Sequence, residues 1–178
     1  MSERPVLGAV LAWATAHHAS QRRTFDNAPF IVHPLEVASM LSARGYEDDV
    51  VAAGLLHDVV EQADVSLADV RERFGGRVAD LVAAVTEDEG IADYDARKAA
   101  LRERMAAAGP QAHAIYAADK IAKVRELRAQ AMRTAEIDPQ QLAHYELSLD
   151  ALALVAPGLP MVDQLAFELW ALRAFAPT

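Results

Sequence analysis

The sequence contains no cysteine. That absence excludes disulfides, thiolate zinc sites and cysteine nucleophiles at once, and it requires any metal to bind through nitrogen and oxygen. Glycine and proline are scarce, at 8 each in 178 residues. Together with a 53% hydrophobic content rich in Ala, Leu and Val, that scarcity favours an all-α protein over turn-rich β structure. No stretch approaches the ~20 apolar residues that a membrane span requires, so no membrane partner is expected. Clustered positive charge is also missing. The formal net charge is −9 and the Lys and Arg residues are scattered, which removes the electrostatic footprint of a general nucleic-acid binder. A chain of this length fits one domain, residues 1–178, with a core large enough to close on itself.

At the N-terminus, Arg4 followed by the apolar stretch from Val6 to Ala16 superficially resembles a short secretory signal ending near Ala14-Thr15-Ala16. Its periodicity points instead to a core helix. Leu7, Val10, Leu11 and Ala14 fall at i, i+3, i+4 and i+7, and Trp13 lies off that stripe.

A first helix is expected over about 5–21, followed by a loop over 22–30 that contains Asp26, Asn27 and Pro29. Pro34 suits the first residue of a second helix that Gly45 stops, which holds His33 at a rigid corner. From Glu47 to about Gln62, eight Val, Ala and Leu residues cover nearly the full circumference of one helix, and such a helix is buried. His57, Asp58 and Glu61 lie within it. Charge in that environment is costly unless it is paired or coordinates a metal. Further helices are expected over 66–74, with Ser66 as cap and Asp69 at the third helical position, and over 77–86, 96–108, 111–129, 139–155 and 160–175. Asp119 interrupts the apolar run Ile115, Ala117, Ala118 in the same way. The acidic segment 87–95 reads as a solvated loop, the last two helices as scaffold without a comparable buried charge pattern, and His17, His18, His113 and His144 as surface or capped histidines.

Glu61 stands one turn beyond both His57 and Asp58, so the three side chains can share a cavity. Adding His33 and Asp119 gives two imidazoles and two carboxylates, a mixed donor set suited to Mn²⁺, Fe²⁺ or Zn²⁺ with room for water. The ion acidifies that water, and Glu61 can position it or accept its proton.

Several ordered motifs resemble the HD-domain hydrolases of the RelA/SpoT type and their small single-domain relatives, the small alarmone hydrolases. They are His18-Ala19-Ser20-Gln21-Arg22-Arg23, then Pro29-Phe30-Ile31-Val32-His33-Pro34-Leu35-Glu36-Val37-Ala38, then Gly54-Leu55-Leu56-His57-Asp58-Val59-Val60-Glu61, then Phe74-Gly75, Val85-Thr86, Arg97-Lys98 and Ala118-Asp119-Lys120. They span roughly 11–127. The resemblance implies an all-helical HD domain with one manganese ion held by His33, His57, Asp58 and Asp119. It also implies removal of the 3′-pyrophosphate from guanosine tetra- or pentaphosphate, with Arg23 against the base, where a planar guanidinium can stack, and Glu61 in a catalytic carboxylate pair. Four positions depart from the family pattern. Gln62 replaces the second acid and can orient water but not take its proton, Lys123 replaces an asparagine, Glu126 a nucleotide-contacting threonine, and Ser20 a glycine.

The expected activity is therefore metal-dependent hydrolysis of guanosine 3′,5′-polyphosphates or their adenosine counterparts. Two alternatives stay open: an HD phosphohydrolase of simple nucleotides, and a degenerate HD domain that binds metal and nucleotide without turnover. Alarmone synthesis is not expected, because the residues after the hydrolase-like part only complete a helical domain. A small-molecule nucleotide is the expected partner, self-association is left open, and a cytoplasmic location is the default in the absence of an export signal.

Overall fold

The structure is a computed structural model that describes residues 6–63 and 65–174. The expected helix start at residue 5 and end at residue 175 lie outside the described residues. Among those residues there are ten helices and no strand: α1 (Leu7–His17), α2 (Val32–Ser42), α3 (Asp48–Leu56), α4 (Val59–Gln62), α5 (Leu67–Phe74), α6 (Gly76–Val85), α7 (Tyr94–Ala108), α8 (Pro110–Thr134), α9 (Pro139–Val155) and α10 (Pro160–Ala174).

The bundle is organised around α8, against which α2, α3, α6, α7, α9 and α10 pack. Proline opens α8 at a position where the missing N–H has no helical partner to lose. Ala114, Ala117, Ala118 and Ala122 are fully buried along it, and their small side chains let neighbouring helices approach closely. Every residue of α3 from Val50 to Leu56 is buried, as an all-round apolar helix demands. Gly54 makes the α2–α3 contact possible. A Cβ there would lie 2.7 Å from Leu41 Cδ1 and 3.6 Å from the Ala38 Cα. On α1, Val10 and Ala14 are buried while Leu7, Leu11 and Trp13 pack at the margin, with Trp13 edge-on to Phe74 at 5.2 Å.

Several boundaries differ from the sequence expectation, each for a local reason. The single helix expected over 47–62 is divided at His57-Asp58. His57 Nδ1 lies 2.8 Å from the Gly54 carbonyl, the acceptor that the Asp58 N–H would use in a continuous helix. Asp58 relaxes to φ −92°, ψ −8°, and the Gln62 N–H, 2.9 Å from Asp58 O, opens the next turn. α1 ends before residue 21 because the chain folds back: Phe30 N–H donates to Gln21 O and Arg23 N–H to Ala28 O, around Asn27 at φ 58°. α7 starts two residues early, where the Asp93 carboxylate caps Ala96 N–H at 2.8 Å. The Ser66–Asp69 capping box of α5 forms as expected, satisfying two N-terminal donors.

The C-terminal helices are not free of buried charge. Glu168 on α10 is 4% exposed and accepts from Arg125 Nε at 2.7 Å and from Arg128, both on α8, while Arg125 also reaches Glu36 on α2 at 2.9 Å. This clamp joins three helices where apolar packing alone specifies no register. No helix of the described residues is long and apolar enough to cross a membrane. Glu168→Ala is expected to lower unfolding stability by about 1–3 kcal/mol through loss of charge-assisted bonds, read as a lower urea midpoint with an unchanged slope.

Candidate metal centre

Three helix segments bring the four expected donors together. His33 sits in the first turn of α2, His57 and Asp58 occupy the break between α3 and α4, and Asp119 lies midway along α8. His33 Nε2 is 3.1 Å from Asp119 Oδ1, 3.3 Å from His57 Nε2 and 3.6 Å from Asp58 Oδ2. His57 Nε2 is 3.5 Å from both Asp58 Oδ1 and Asp119 Oδ1. His33, His57 and Asp58 each offer a ligand atom within 4.8 Å of one another, and all four residues are buried.

These residues fit a divalent ion. Two ligands held about 2.1 Å from one ion at tetrahedral to octahedral angles are themselves roughly 3.0–3.4 Å apart, close to the spacings found. Asp58 Oδ2 is buried without a hydrogen-bond partner, a costly state for a carboxylate oxygen unless a cation completes it. Burial opposes the charged form of His57, but the Asp58 and Asp119 carboxylates outweigh it and raise its pKa to about 9. Burial likewise opposes ionisation of the two aspartates. His57, Lys123 and His33 around Asp58, and Lys120 with both imidazoles around Asp119, nevertheless hold the carboxyls below their usual range. The two carboxylates are therefore held ionised beside the imidazole nitrogens, and Asp119 joins the His33, His57 and Asp58 group through its contacts with the two imidazoles.

The centre forms part of the wall of a cleft of about 580 Å³ that Arg23, Glu61, Gln62, Lys123 and Glu126 also line, a volume suited to a small ligand. Glu61 accepts the Glu87 N–H. Burial and the nearby Asp58 raise its pKa to about 7, the range in which a carboxyl can exchange a proton with water near neutrality. Gln62 is exposed beside it, its backbone carbonyl taken by the Gln21 side chain. Lys123 Nζ lies 3.8 Å from Asp58 Oδ2 and 5.4 Å from the Phe30 ring centroid. Arg23 is bound by Asp26 and by Glu126, at 3.1 and 3.3 Å, and lies over the Phe25 ring.

Other cleft residues went unrecognised in the sequence. Glu87, read there as part of a solvated acidic loop, is half-buried and accepts from Arg97 Nε at 2.8 Å and from Lys98. Lys120 is buried, 2.7 Å from Asp119 Oδ2 and 4.5 Å above the Tyr116 ring. His144 and Tyr145, from a helix read as scaffold, line the same cleft with Tyr94. His144 is buried rather than on the surface, and burial with the surrounding Lys120, Lys98 and Arg102 lowers its pKa to about 2, so it is neutral. His18 and His113 are buried too, His18 against Gln21 Oε1 at 2.7 Å and His113 against Ala106 O at 3.2 Å, whereas His17 is exposed. Spacing alone did not signal these positions, because each depends on which distant segment packs over it.

Known proteins similar to this chain bear on the assignment. Residues 10–147 match the family described as HD domain. The guanosine-3′,5′-bis(diphosphate) 3′-pyrophosphohydrolase MESH1 of Drosophila melanogaster is 36% identical over 121 residues, covering 66% of this chain and 67% of the relative. The corresponding pyrophosphohydrolase of Aquifex aeolicus is 41% identical over 75 residues, and this chain spans about a tenth of that much longer protein. A solved structure described as "A metazoan ortholog of SpoT hydrolyzes ppGpp and plays a role in starvation responses" superimposes with a TM-score of 0.80 at 26% identity, over 98% of this chain and 99% of the other. A buried His/His/Asp/Asp cluster at the break of an apolar helix, set in the matching fold, places this chain in the HD domain family, among the relatives of the alarmone hydrolases.

Proposed function

We propose that this chain is a metal-dependent hydrolase that removes the 3′-pyrophosphate from guanosine 3′,5′-polyphosphates or their adenosine counterparts; its relatives are named for the 3′-pyrophosphohydrolysis of guanosine-3′,5′-bis(diphosphate). The observation that carries this reading is the buried cluster of two imidazoles and two carboxylates, three of which, His57, Asp58 and Asp119, line a cleft that also presents Arg23, Lys98, Lys120 and Lys123. Cations of that number suit a ligand with several phosphates, although the chain as a whole is acidic. His33, His57, Asp58 and Asp119 would hold the ion, with Mn²⁺ the proposed species. When bound, that ion supplies Lewis acidity to the reacting oxygens and offsets the charge that develops at phosphorus.

The protein groups have separate tasks. Glu61 accepts the proton of the attacking water; its carboxylate is aimed by the Glu87 N–H, and Glu87 in turn is held by Arg97 and Lys98. Gln62 orients the water through its side-chain amide. The water oxygen bonds to the phosphorus next to the sugar, the bond from that phosphorus to the 3′ oxygen breaks with its electron pair going to that oxygen, the proton taken up by Glu61 is returned to it, and the products are pyrophosphate and a 3′-hydroxyl. Arg23 offers a guanidinium plane to the base, and Lys123 a point charge to the ribose or phosphate side of the ligand. Gln62 in place of an acid also supports a second reading, binding of metal and nucleotide without turnover.

Incubation of the protein with Mn²⁺ and a panel of guanosine and adenosine 3′-pyrophosphates and simple nucleotides is expected to release pyrophosphate from the 3′-pyrophosphates and to stop when a chelator is added. Phosphate release from simple nucleotides instead would replace the proposed substrate class. Tight nucleotide binding without turnover, with pyrophosphate release gained in Gln62→Asp, would establish the second reading. Glu61→Gln is expected to lower kcat/KM by about 10²–10⁴-fold. In the unaltered protein the rate should rise with pH through a limb at or below about 7, as Glu61 loses its proton and because a bound cation favours its ionised form. Glu61→Gln should lack that limb, and retention of it would assign the proton transfer elsewhere.

A further inference from the structure

The two imidazoles of the centre are supported differently. His57 Nδ1 lies 2.8 Å from the Gly54 carbonyl, so its ring is oriented by the backbone of its own helix. His33 turns Nε2 toward Asp119 and His57, at 3.1 and 3.3 Å. As a ligand through Nε2 it carries its proton on Nδ1. That nitrogen is buried and no acceptor is aligned on its N–H, but it stands 3.3 Å from Glu126 Oε1.

We infer that Glu126 is a positioning residue for the metal centre, acting through the His33 ring. Its carboxylate is suited to that task in three respects. Its side chain is 18% exposed, so water competes weakly for it. It lies two turns beyond Asp119 on α8, and a helix repeats its face at that interval, so one element delivers both a ligand and the support of a second ligand. Arg23 Nη1 holds the same oxygen at 3.3 Å while Asp26 holds the rest of the guanidinium, which ties Glu126 to the loop that precedes α2. A small rotation of the carboxylate brings Oε1 onto the His33 N–H. A metal-bound histidine that gives its remaining N–H to a carboxylate is locked in one tautomer and becomes a more basic ligand. The sequence suggested a substrate contact for Glu126; the geometry assigns it to the protein's own ligand.

This inference rests on the four donors forming a metal centre and not on the identity of the nucleotide. The test is Mn²⁺ binding to the full chain, stripped with chelator and titrated in the absence of nucleotide, with the free ion read by electron paramagnetic resonance. Glu126→Ala is expected to weaken Mn²⁺ binding about 10–100-fold. Glu126→Gln, which keeps an acceptor oxygen but loses the charge, should lose less and serves as the variant of record if Glu126→Ala does not fold. In a His33→Ala background, where binding is already weaker, Glu126→Ala should add no further loss, because the ring through which it acts is gone. Unchanged Mn²⁺ affinity in the single variants, or an equal loss with and without His33, would overturn the inference. A wild-type chain that binds no Mn²⁺ overturns both this inference and the metal centre. One that binds Mn²⁺ but releases no pyrophosphate removes only the proposed activity.

Discussion

Two carboxylates, Asp58 and Asp119, lie buried against two imidazole nitrogens, and the rest of the molecule is arranged around that constraint. A lone buried carboxylate costs several kcal/mol, so each must be opposed from elements that the core holds still. Asp119 is opposed by Lys120, its neighbour on the longest helix. Asp58 retains one oxygen without a hydrogen-bond partner, with Lys123 and His33 at ion-pair distance. The apolar surfaces of α2, α3 and α8 supply the packing that keeps these groups from moving apart to find water.

The break at His57-Asp58 follows from the same constraint. A continuous helix would aim neighbouring residues about 100° apart; the turn at Asp58, with the Gly54 carbonyl diverted to the His57 ring, lets both residues address one point. The surroundings repeat this economy at longer range. Glu61 is aimed by a backbone N–H from the loop after α6, whose Glu87 carboxylate is anchored by Arg97 and Lys98 from α7. The cleft is therefore assembled from five helices and two loops, and its lysines and arginines stand against as many carboxylates, a local balance that differs from the acidic net charge of the chain. Local field, rather than total charge, governs which small ions enter such a cleft.

The central signal was legible in the sequence because it was a contradiction: His57 and Asp58 in an all-round apolar helix, and Asp119 in a second apolar run. Contradictions of that type are local, so spacing and composition reveal them. Much of the fold was legible for the same reason, including the capping box at Ser66 and Asp69, the start of α9 at Pro139, and the buried circumference of α3. What was not legible depended on distant partners. Glu87 reads as a solvated acid until Lys98 and Arg97 fold over it. Glu168 and His144 sit in helices with no unusual pattern, and their burial comes from α8 and α7, which no window of sequence around them contains.

Taken alone, then, the sequence determined the helical class, the absence of thiol chemistry, and the identity of the donors that would be too costly to bury singly. These follow from side-chain type and periodicity, properties that each segment carries by itself. The tertiary structure decided where the helix over 47–62 breaks, which nitrogen of His33 faces the centre, and that Glu126 faces that histidine and Arg23. Those outcomes depend on distances between helices that are remote along the chain, and such distances exist only once the apolar faces have packed.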